Sequence, residues 1–402
     1  MKGGIQMKKV KVTLEVVTPM FSTGSNINKE AEFRITELKA LIRSIFREFY
    51  NYDSEDDLKK KEEILFGSTN KKSPVSIRFG YNKKNIFTGK KNLVLHKEVL
   101  VEAIPIGTTI NIIFQGRNEK ILKVYSNILK LASIVGGLGK RSRKGMGSFK
   151  IKDIVSETND INNRFENLLN ECNELEIEGK KYVIETRNFL IDENEDDYIR
   201  YKIEYDNNIP NIHYAKYIHK IFIGNSINEK DQREKIKNIF KKISELTHKR
   251  LIKAKDFLSE DSVNEIKKLT NKDICDEEVL ELVLNKDILG NYNYNNKDSC
   301  KRGLSYKSDL TRFASPIYVT VYQQVQGKSI KNYIIIKELN YNYIYNEIIN
   351  IRRNKKEKEL KNKNKENIAK EINKEVEEFK PMDEEYIKSY INEIKKCCKE
   401  EV

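Results

Sequence analysis

Two spacings of apolar residues alternate along the first 155 residues, and their order restricts the fold more than any other property of the chain. KVKVTLEV, residues 9 to 16, sets Val10, Val12, Leu14 and Val16 at every second position, the period of a half-buried strand. From Thr36 to Tyr50 the period changes. Leu38, Leu41, Ile42, Ile45, Phe46 and Phe49 recur at three and four residues, which predicts an amphipathic helix with Thr36 as its N-cap. PVSIRFG (74 to 80) and TTINIIFQG (108 to 116) read as strands bounded by turn residues. Ile121, Tyr125, Ile128, Ala132 and Val135 mark one face of a second helix, and Phe149 and Ile151 a closing strand. The order strand, helix, strand, strand, helix, strand predicts a ferredoxin-like split βαβ domain over residues 1–155, with extra hairpin material between 81 and 107.

Past residue 155, KYVIETRNFLI (181 to 191) and RYKIEY (200 to 205) read as strands, followed by a Lys-rich helix around 228 to 254 and more helical material to about 286. SPIYVTVYQQV and KNYIIIKEL, residues 315–325 and 331–339, read as a hairpin joined across Gly327. Pro381 separates a Lys-rich segment near 353–366 from a C-terminal amphipathic helix. The expected architecture is α+β: two ferredoxin-like (RRM-like) βαββαβ domains, residues 1–155 and 156–402, the second modified by helical insertions and charged C-terminal helices. RNA-recognition modules share this arrangement, although fold alone does not decide function.

The glycines and cations converge on one segment. GGLGKRSRKGMGS, residues 136 to 148, holds Gly136, Gly137, Gly139, Gly145 and Gly147 together with Lys140, Arg141, Arg143 and Lys144. Glycine permits positive φ and close approach to the main chain, and the cations favour an anionic partner. A Walker phosphate loop is excluded, because Ile134 stands where its first glycine belongs and Arg141 follows Lys140. A dinucleotide fingerprint is excluded too, since a helix precedes these glycines and a strand follows them. What remains is a basic loop suited to a nucleic-acid backbone, or a solvated turn. In the first helix, Lys39, Arg43 and Arg47 recur every four residues, so they form one stripe about 130° from the centre of the apolar face and should be free to meet a ligand.

Composition agrees with such a partner. With 75 Lys and Arg against 61 Asp and Glu, the net charge is +14. The opening MKGGIQMKK lacks the apolar core of a signal peptide and no apolar run reaches membrane-spanning length, so a cytoplasmic protein with no membrane partner is expected. The five cysteines form no CxxC and the four histidines no HxxxH, so neither a metal nor a cofactor is expected.

Further residues carry a resemblance. Thr18-Pro19-Met20-Phe21-Ser22, Phe33-Arg34-Ile35 leading into Lys39-Ala40-Leu41-Ile42-Arg43 and Arg47, EEILFGS at 62–68, and the Gly-rich loop occur in that order. Together they resemble RAMP proteins of CRISPR effector complexes, and Arg312-Phe313-Ala314-Ser315-Pro316 is similar to a segment of the first-numbered RAMP subunit of type III-B Cmr complexes. Ala40 stands where that pattern usually has Gly. The resemblance implies a non-catalytic subunit that holds the 3′ portion of the guide RNA (crRNA), helps recognise invading target RNA in antiviral defence, and contacts other Cmr and RAMP subunits. The expected RNA-binding residues are Gly136, Gly137, Gly139, Lys140, Arg141, Ser142, Arg143, Lys144 and Gly145, then Lys39, Arg43 and Arg47, then Ser22 and Ser68. Tyr292, Tyr294 and Tyr306 beside Lys301 and Arg302 offer a possible stacking surface.

Two other readings stay open. A RAMP endoribonuclease cutting guide precursor or target RNA needs a general base and acid; His96, His213, His219 and Glu30 are the available candidates, and the segment Ser22 to Glu30 contains no Asp. A structural protein would instead set its basic loop against an acidic neighbour. No catalytic residue is assigned.

Overall fold

The period-2 pattern of residues 9–16 becomes β1, Lys8–Val16, whose Val12, Leu14 and Val16 are buried while alternate residues are more exposed. The computed structural model describes residues 7–24, 30–80, 86–95, 99–152, 161–177, 179–195, 198–203, 217–227, 232–249, 304–307, 316–326, 329–340, 349–353, 378–379 and 384–399. The fold is mixed α+β. After β1 come α1 (Ile35–Phe49), α2 (Glu55–Phe66), β2 (Val75–Phe79), β3 (Gly89–Val94), β4 (Val99–Ala103), β5 (Thr109–Gly116), α3 (Glu119–Val135) and β6 (Phe149–Ile151). One antiparallel sheet runs β2-β5-β1-β6, while β3 and β4 pair as a separate hairpin in the region expected to hold extra hairpin material.

Local chemistry explains most boundaries in this part. Helix α1 begins at Ile35 with Arg34 as N-cap and no side-chain cap, so Thr36 lies inside the first turn and is not the cap that spacing alone suggests. The sequence reading passed over α2. It is capped by Ser54, whose Oγ accepts from the Asp57 N–H at 3.1 Å, and Glu55, Asp56 and Asp57 sit in its first turn, where acids suit the helix dipole.

A second antiparallel sheet runs β13-β14-β11-β10-β9, with β9 Phe189–Glu195, β10 Tyr198–Ile203, β11 Ile218–Ile227, β13 Ile317–Gln326 and β14 Ser329–Leu339. Strands β13 and β14 form the expected hairpin. The segment read as one strand over 181–191 is in fact the end of β8 (Lys180–Glu185) and the start of β9. The break has a cause: the Arg187 N–H donates to the Phe49 carbonyl at 2.8 Å, turning the chain onto the end of α1. Helix α4 (Ile161–Leu169), β7 (Cys172–Ile177) and the central strand β11 are additions to the sequence reading, and α5 spans Gln232–Lys249. Helix α3 packs against strands of both sheets, and twelve of its residues are buried. It is therefore a central helix with apolar contacts on most sides.

The chain divides into two compact units. The first holds Met1–Ser244, Ile317–Asn340 and Glu400–Val402, and so contains both large sheets. The second, Glu245–Pro316 with Tyr341–Lys399, contains a three-stranded sheet of β12 (Leu304–Lys307), β15 (Ile349–Arg353) and β16 (Glu378–Phe379), and helix α6 (Glu384–Lys399). No helix among the described residues is long and apolar enough to cross a membrane. The Lys-rich stretch from 354, His96, His213, Tyr292, Tyr294, Lys301, Arg302, Gly327 and residues 312–315 lie outside the described residues, as does most of the helical material expected up to 286.

Candidate nucleic-acid interface

The Gly-rich loop leaves α3 at Gly136, whose N–H donates to Ala132 at 3.0 Å, and then folds back on itself. Leu138 N–H donates to the Gly147 carbonyl at 3.0 Å, Lys140 N–H to Phe21 at 2.9 Å, and Gly147 N–H to Pro19 at 3.0 Å. The Thr18-Pro19-Met20-Phe21-Ser22 segment and the loop are thus stitched together by backbone, although they lie far apart in the chain. Gly139 and Gly147 have φ of +86° and +71°. A Cβ on Gly147 would lie 1.8 Å from the Leu138 carbonyl oxygen, and one on Gly139 would lie 2.7 Å from Phe21 backbone. At these two positions the close approach that glycine permits is made by the protein's own main chain, not by a phosphate. The loop is pinned by its own main chain and by the Pro19–Phe21 backbone.

This hydrogen-bonded loop forms one wall of a groove of about 630 Å³. The other walls are α1, the segment around Thr23 and Gly24, and Tyr318 and Lys337 from β13 and β14. Arg34, Lys140, Arg143 and Lys337 line it, against the carboxylates Glu37 and Glu48. Cations therefore outnumber acids four to two. Among the described residues, the backbone N–H groups of Gly137, Gly139, Ser142 and Arg143 make no hydrogen bond, and all four residues belong to the lining. Main-chain donors beside Lys140 and Arg143 suit an anionic oxygen.

The wall from the second sheet is tied down. Val319 N–H donates to the Arg143 carbonyl at 3.0 Å, and Val321 N–H to Ser148 Oγ at 3.2 Å. The Arg143 guanidinium lies 5.1 Å from the centre of the Tyr318 ring, and Lys337 Nζ lies 4.2 Å from it. Lys337 is buried with Glu48, 2.6 Å away, and Ser44 Oγ donates to the other Glu48 oxygen at 2.8 Å. An ion pair this buried holds α1 to β14, because neither charge can be left alone in the interior.

The expected site residues fall into three groups. Gly136, Gly137, Gly139, Lys140, Ser142 and Arg143 come together on the groove. Arg141, at φ +59°, lies next to them at the surface; nearby protein atoms desolvate its guanidinium and lower its pKa, yet its exposure keeps it a cation. Lys144 supplies backbone to β13, and Gly145 closes against Phe240 of α5, whose ring a Cβ would overlap. The α1 stripe divides. Lys39 is exposed, but Arg47 makes a two-pronged ion pair with Glu62 at 2.6 and 3.0 Å, and Arg43 donates to the Gly67 carbonyl at 3.2 Å, with Nε 3.8 Å from Glu62. The expectation of a partner-free stripe fails for Arg43 and Arg47, which join α1 to α2 and to the turn after it. Ser22 is buried and donates to Glu37 Oε2 at 2.6 Å, while exposed Ser68 caps its own turn by accepting from the Asn70 N–H.

The face of α1 that does meet the groove carries Glu37, Ala40, Leu41, Ser44 and Glu48, spaced three and four residues apart. Glu37, Ser44 and Glu48, with Tyr318 and Lys337, were not singled out from sequence, and Arg34, Ala40 and Leu41 were named there only as motif or apolar-face positions. The signal present was the same helical period applied to polar residues on the opposite flank of the apolar face. Of the nuclease candidates, Glu30 is exposed and His219 pairs with Glu338 at 3.2 Å; none of these three residues lines the groove. Among the described residues, no group of three or more His, Cys, Asp or Glu could hold a metal ion.

Residues 13–150, which span the sheet, α1, α3 and the loop, match the RAMP superfamily. Over this segment the chain is similar to RAMP-superfamily proteins. The chain is 25% identical over 174 residues to the CRISPR system Cmr subunit Cmr1-2 of Pyrococcus furiosus, covering 35% of this chain and 92% of that one. It resembles the crystal structure of apo Cmr1 from Pyrococcus furiosus (TM-score 0.43, 14% identity, 84% of this chain and 89% of that chain). It also resembles a chain of a cryo-EM structure of the type III-B Cmr-beta complex bound to cognate target RNA and AMPPnP in the presence of ssDNA (TM-score 0.45, 14% identity, 96% and 99% of the two chains).

Proposed function

We propose that this chain is a non-catalytic guide-RNA-binding and assembly subunit of a type III-B CRISPR Cmr effector complex. It holds the 3′ portion of the guide, meets neighbouring Cmr subunits and helps present the guide to invading RNA. The observation that carries this reading is the groove: Lys140, Arg143 and four main-chain N–H groups without a hydrogen bond, all supplied by the Gly-rich loop and pinned there by backbone hydrogen bonds, with Arg34 on the facing wall. Phosphate contacts of this kind position a strand without reading its sequence, as a subunit serving many guides requires. The relatives' place in Cmr complexes supports the assembly role.

The same reading treats the chain as two ferredoxin-like domains, residues 1–155 and 156–402. Strand β11, helix α5, β13 and β14 repeat the order strand, helix, strand, strand, and β11 and β14 are neighbours in their sheet as β1 and β5 are in theirs. Strand β10 lies beside β11 as β6 lies beside β1, and β9 is an added strand at that edge.

The test is the affinity of the purified chain for labelled single-stranded RNA across a salt series, with each sample then run on a denaturing gel. Lys140→Ala/Arg143→Ala is measured alongside. The reading expects affinity to fall with salt, the double variant to lose at least tenfold with a shallower salt slope by about two charges, and the RNA to stay intact. Cleaved RNA would restore the endoribonuclease. Equal binding by both proteins would remove the groove from the interface.

A further inference from the structure

Two carboxylates on the wall of a phosphate groove call for an explanation, since each repels the ligand that the cations attract. Glu48 is accounted for: one oxygen faces Lys337 and the other accepts from Ser44. Glu37 is not. Its Oε2 accepts from the buried Ser22 hydroxyl at 2.6 Å, but its Oε1 has only Arg34 Nη1 at 3.9 Å, beyond hydrogen-bond range. The Ser22 bond fixes the carboxylate on the groove lining and leaves one charged acceptor unoccupied.

We propose that Glu37 is a specificity residue that accepts a hydrogen bond from a ribose 2′-hydroxyl, so that this groove selects RNA over DNA. The inference rests on the reading of the groove as an RNA site. Phosphates settle on the Lys140 and Arg143 side, away from the carboxylates, and a neutral donor is then needed opposite Glu37. The sugar is the group always attached to the phosphate, whatever the sequence, whereas the amino groups of bases change from position to position. A strand anchored through its phosphates therefore offers Glu37 a 2′-hydroxyl, which is the donor that distinguishes RNA from DNA. A deoxyribose in the same place gives the carboxylate no donor and leaves it desolvated and unpaired. Ser22 acts as a positioning residue, and its burial beneath Glu37 accounts for a serine in the Thr-Pro-Met-Phe-Ser motif that no ligand can reach.

The experiment compares the full chain's affinity for a fluorescein-labelled U-rich 20-mer as RNA, as 2′-O-methyl RNA and as DNA. Wild type should prefer RNA over both analogues by about tenfold, the worth of one charge-assisted hydrogen bond. In Glu37→Ala the preference should fall to within about twofold, mainly because DNA binds better once the repelling charge is gone. Ser22→Ala keeps the charge and should lose part of the preference, which carries the test if Glu37→Ala melts early. Lys140→Ala/Arg143→Ala should weaken RNA and DNA together and keep their ratio. Preference unchanged in Glu37→Ala, or equal binding of RNA and DNA by wild type, overturns this inference and leaves the RNA-binding reading standing. Absence of RNA binding by wild type overturns both.

Discussion

Replacing Gly147 with alanine tests whether the Gly-rich loop is a built wall or a flexible arm. The residue has φ +71°, where an L side chain costs about 1–2 kcal/mol. Its new Cβ would lie 1.8 Å from the Leu138 carbonyl oxygen and 2.9 Å from the Leu138 nitrogen, so the two strands of the loop must part. Parting them breaks the Leu138-to-Gly147 and Gly147-to-Pro19 hydrogen bonds, each worth about 0.5–1.5 kcal/mol net. The expected loss is about 2–5 kcal/mol, a large share of the roughly 5–15 kcal/mol that holds a typical fold. Gly179→Ala is the control, with φ +74° and no atom within 4 Å of its Cβ; only the conformational cost of about 1–2 kcal/mol remains. Urea unfolding followed by circular dichroism gives both values. RNA affinity should drop in Gly147→Ala and hold in Gly179→Ala. If the two variants lose equal stability, the packed-loop argument is wrong, and if Gly147→Ala binds RNA normally, the loop's shape does not matter to the groove.

Three other outcomes follow from the same geometry. Arg47→Ala removes a two-pronged pair to Glu62 and should cost about 1–3 kcal/mol in thermal unfolding while changing RNA affinity less than twofold, the reverse of what a ligand-contacting arginine would do. Lys337→Met strands the buried Glu48 and should cost about 3–5 kcal/mol, of which Glu48→Leu in the same chain recovers a large part; no recovery would mean the pair is not the tie between α1 and β14. Burial pushes the Tyr125 hydroxyl from 10.0 up to about 12, where it donates to the Leu65 carbonyl. Because the unfolded chain loses that proton first, stability is unaffected below pH 10 and falls as pH rises from 10 towards 12, at about 1.4 kcal/mol per pH unit for this group; Tyr125→Phe should flatten the alkaline limb by that amount.

The apolar alternation of β1, whose Val12, Leu14 and Val16 are buried, shows how much of this fold local chemistry already specifies. Period 2 against period 3.6 marked β1, α1, β2, β5, α3 and β6 in their order, because each must bury one side and the spacing says which, while α2 went unread. The basic glycine loop was legible for the same reason, as an unusual composition with no structural duty that local sequence could assign. Other features depended on contacts between distant residues. Helix α3 was read as one apolar face, yet it is buried on most sides because a second sheet covers it. Arg43 and Arg47 were read as ligand contacts because a helical projection shows only where a side chain points; whether Glu62 stands there is decided by α2, a helix passed over in the sequence. The glycines were read as room for phosphate, and the room is filled by Phe21 and Leu138. Glu37, Ser44, Glu48, Tyr318 and Lys337 meet across nearly three hundred residues, so no local pattern could join them. The sequence by itself determined the periodicities, the charge and the loop; the tertiary structure alone decided which charges are spent on packing and which face the groove, since pairing energies depend on distance in space rather than along the chain.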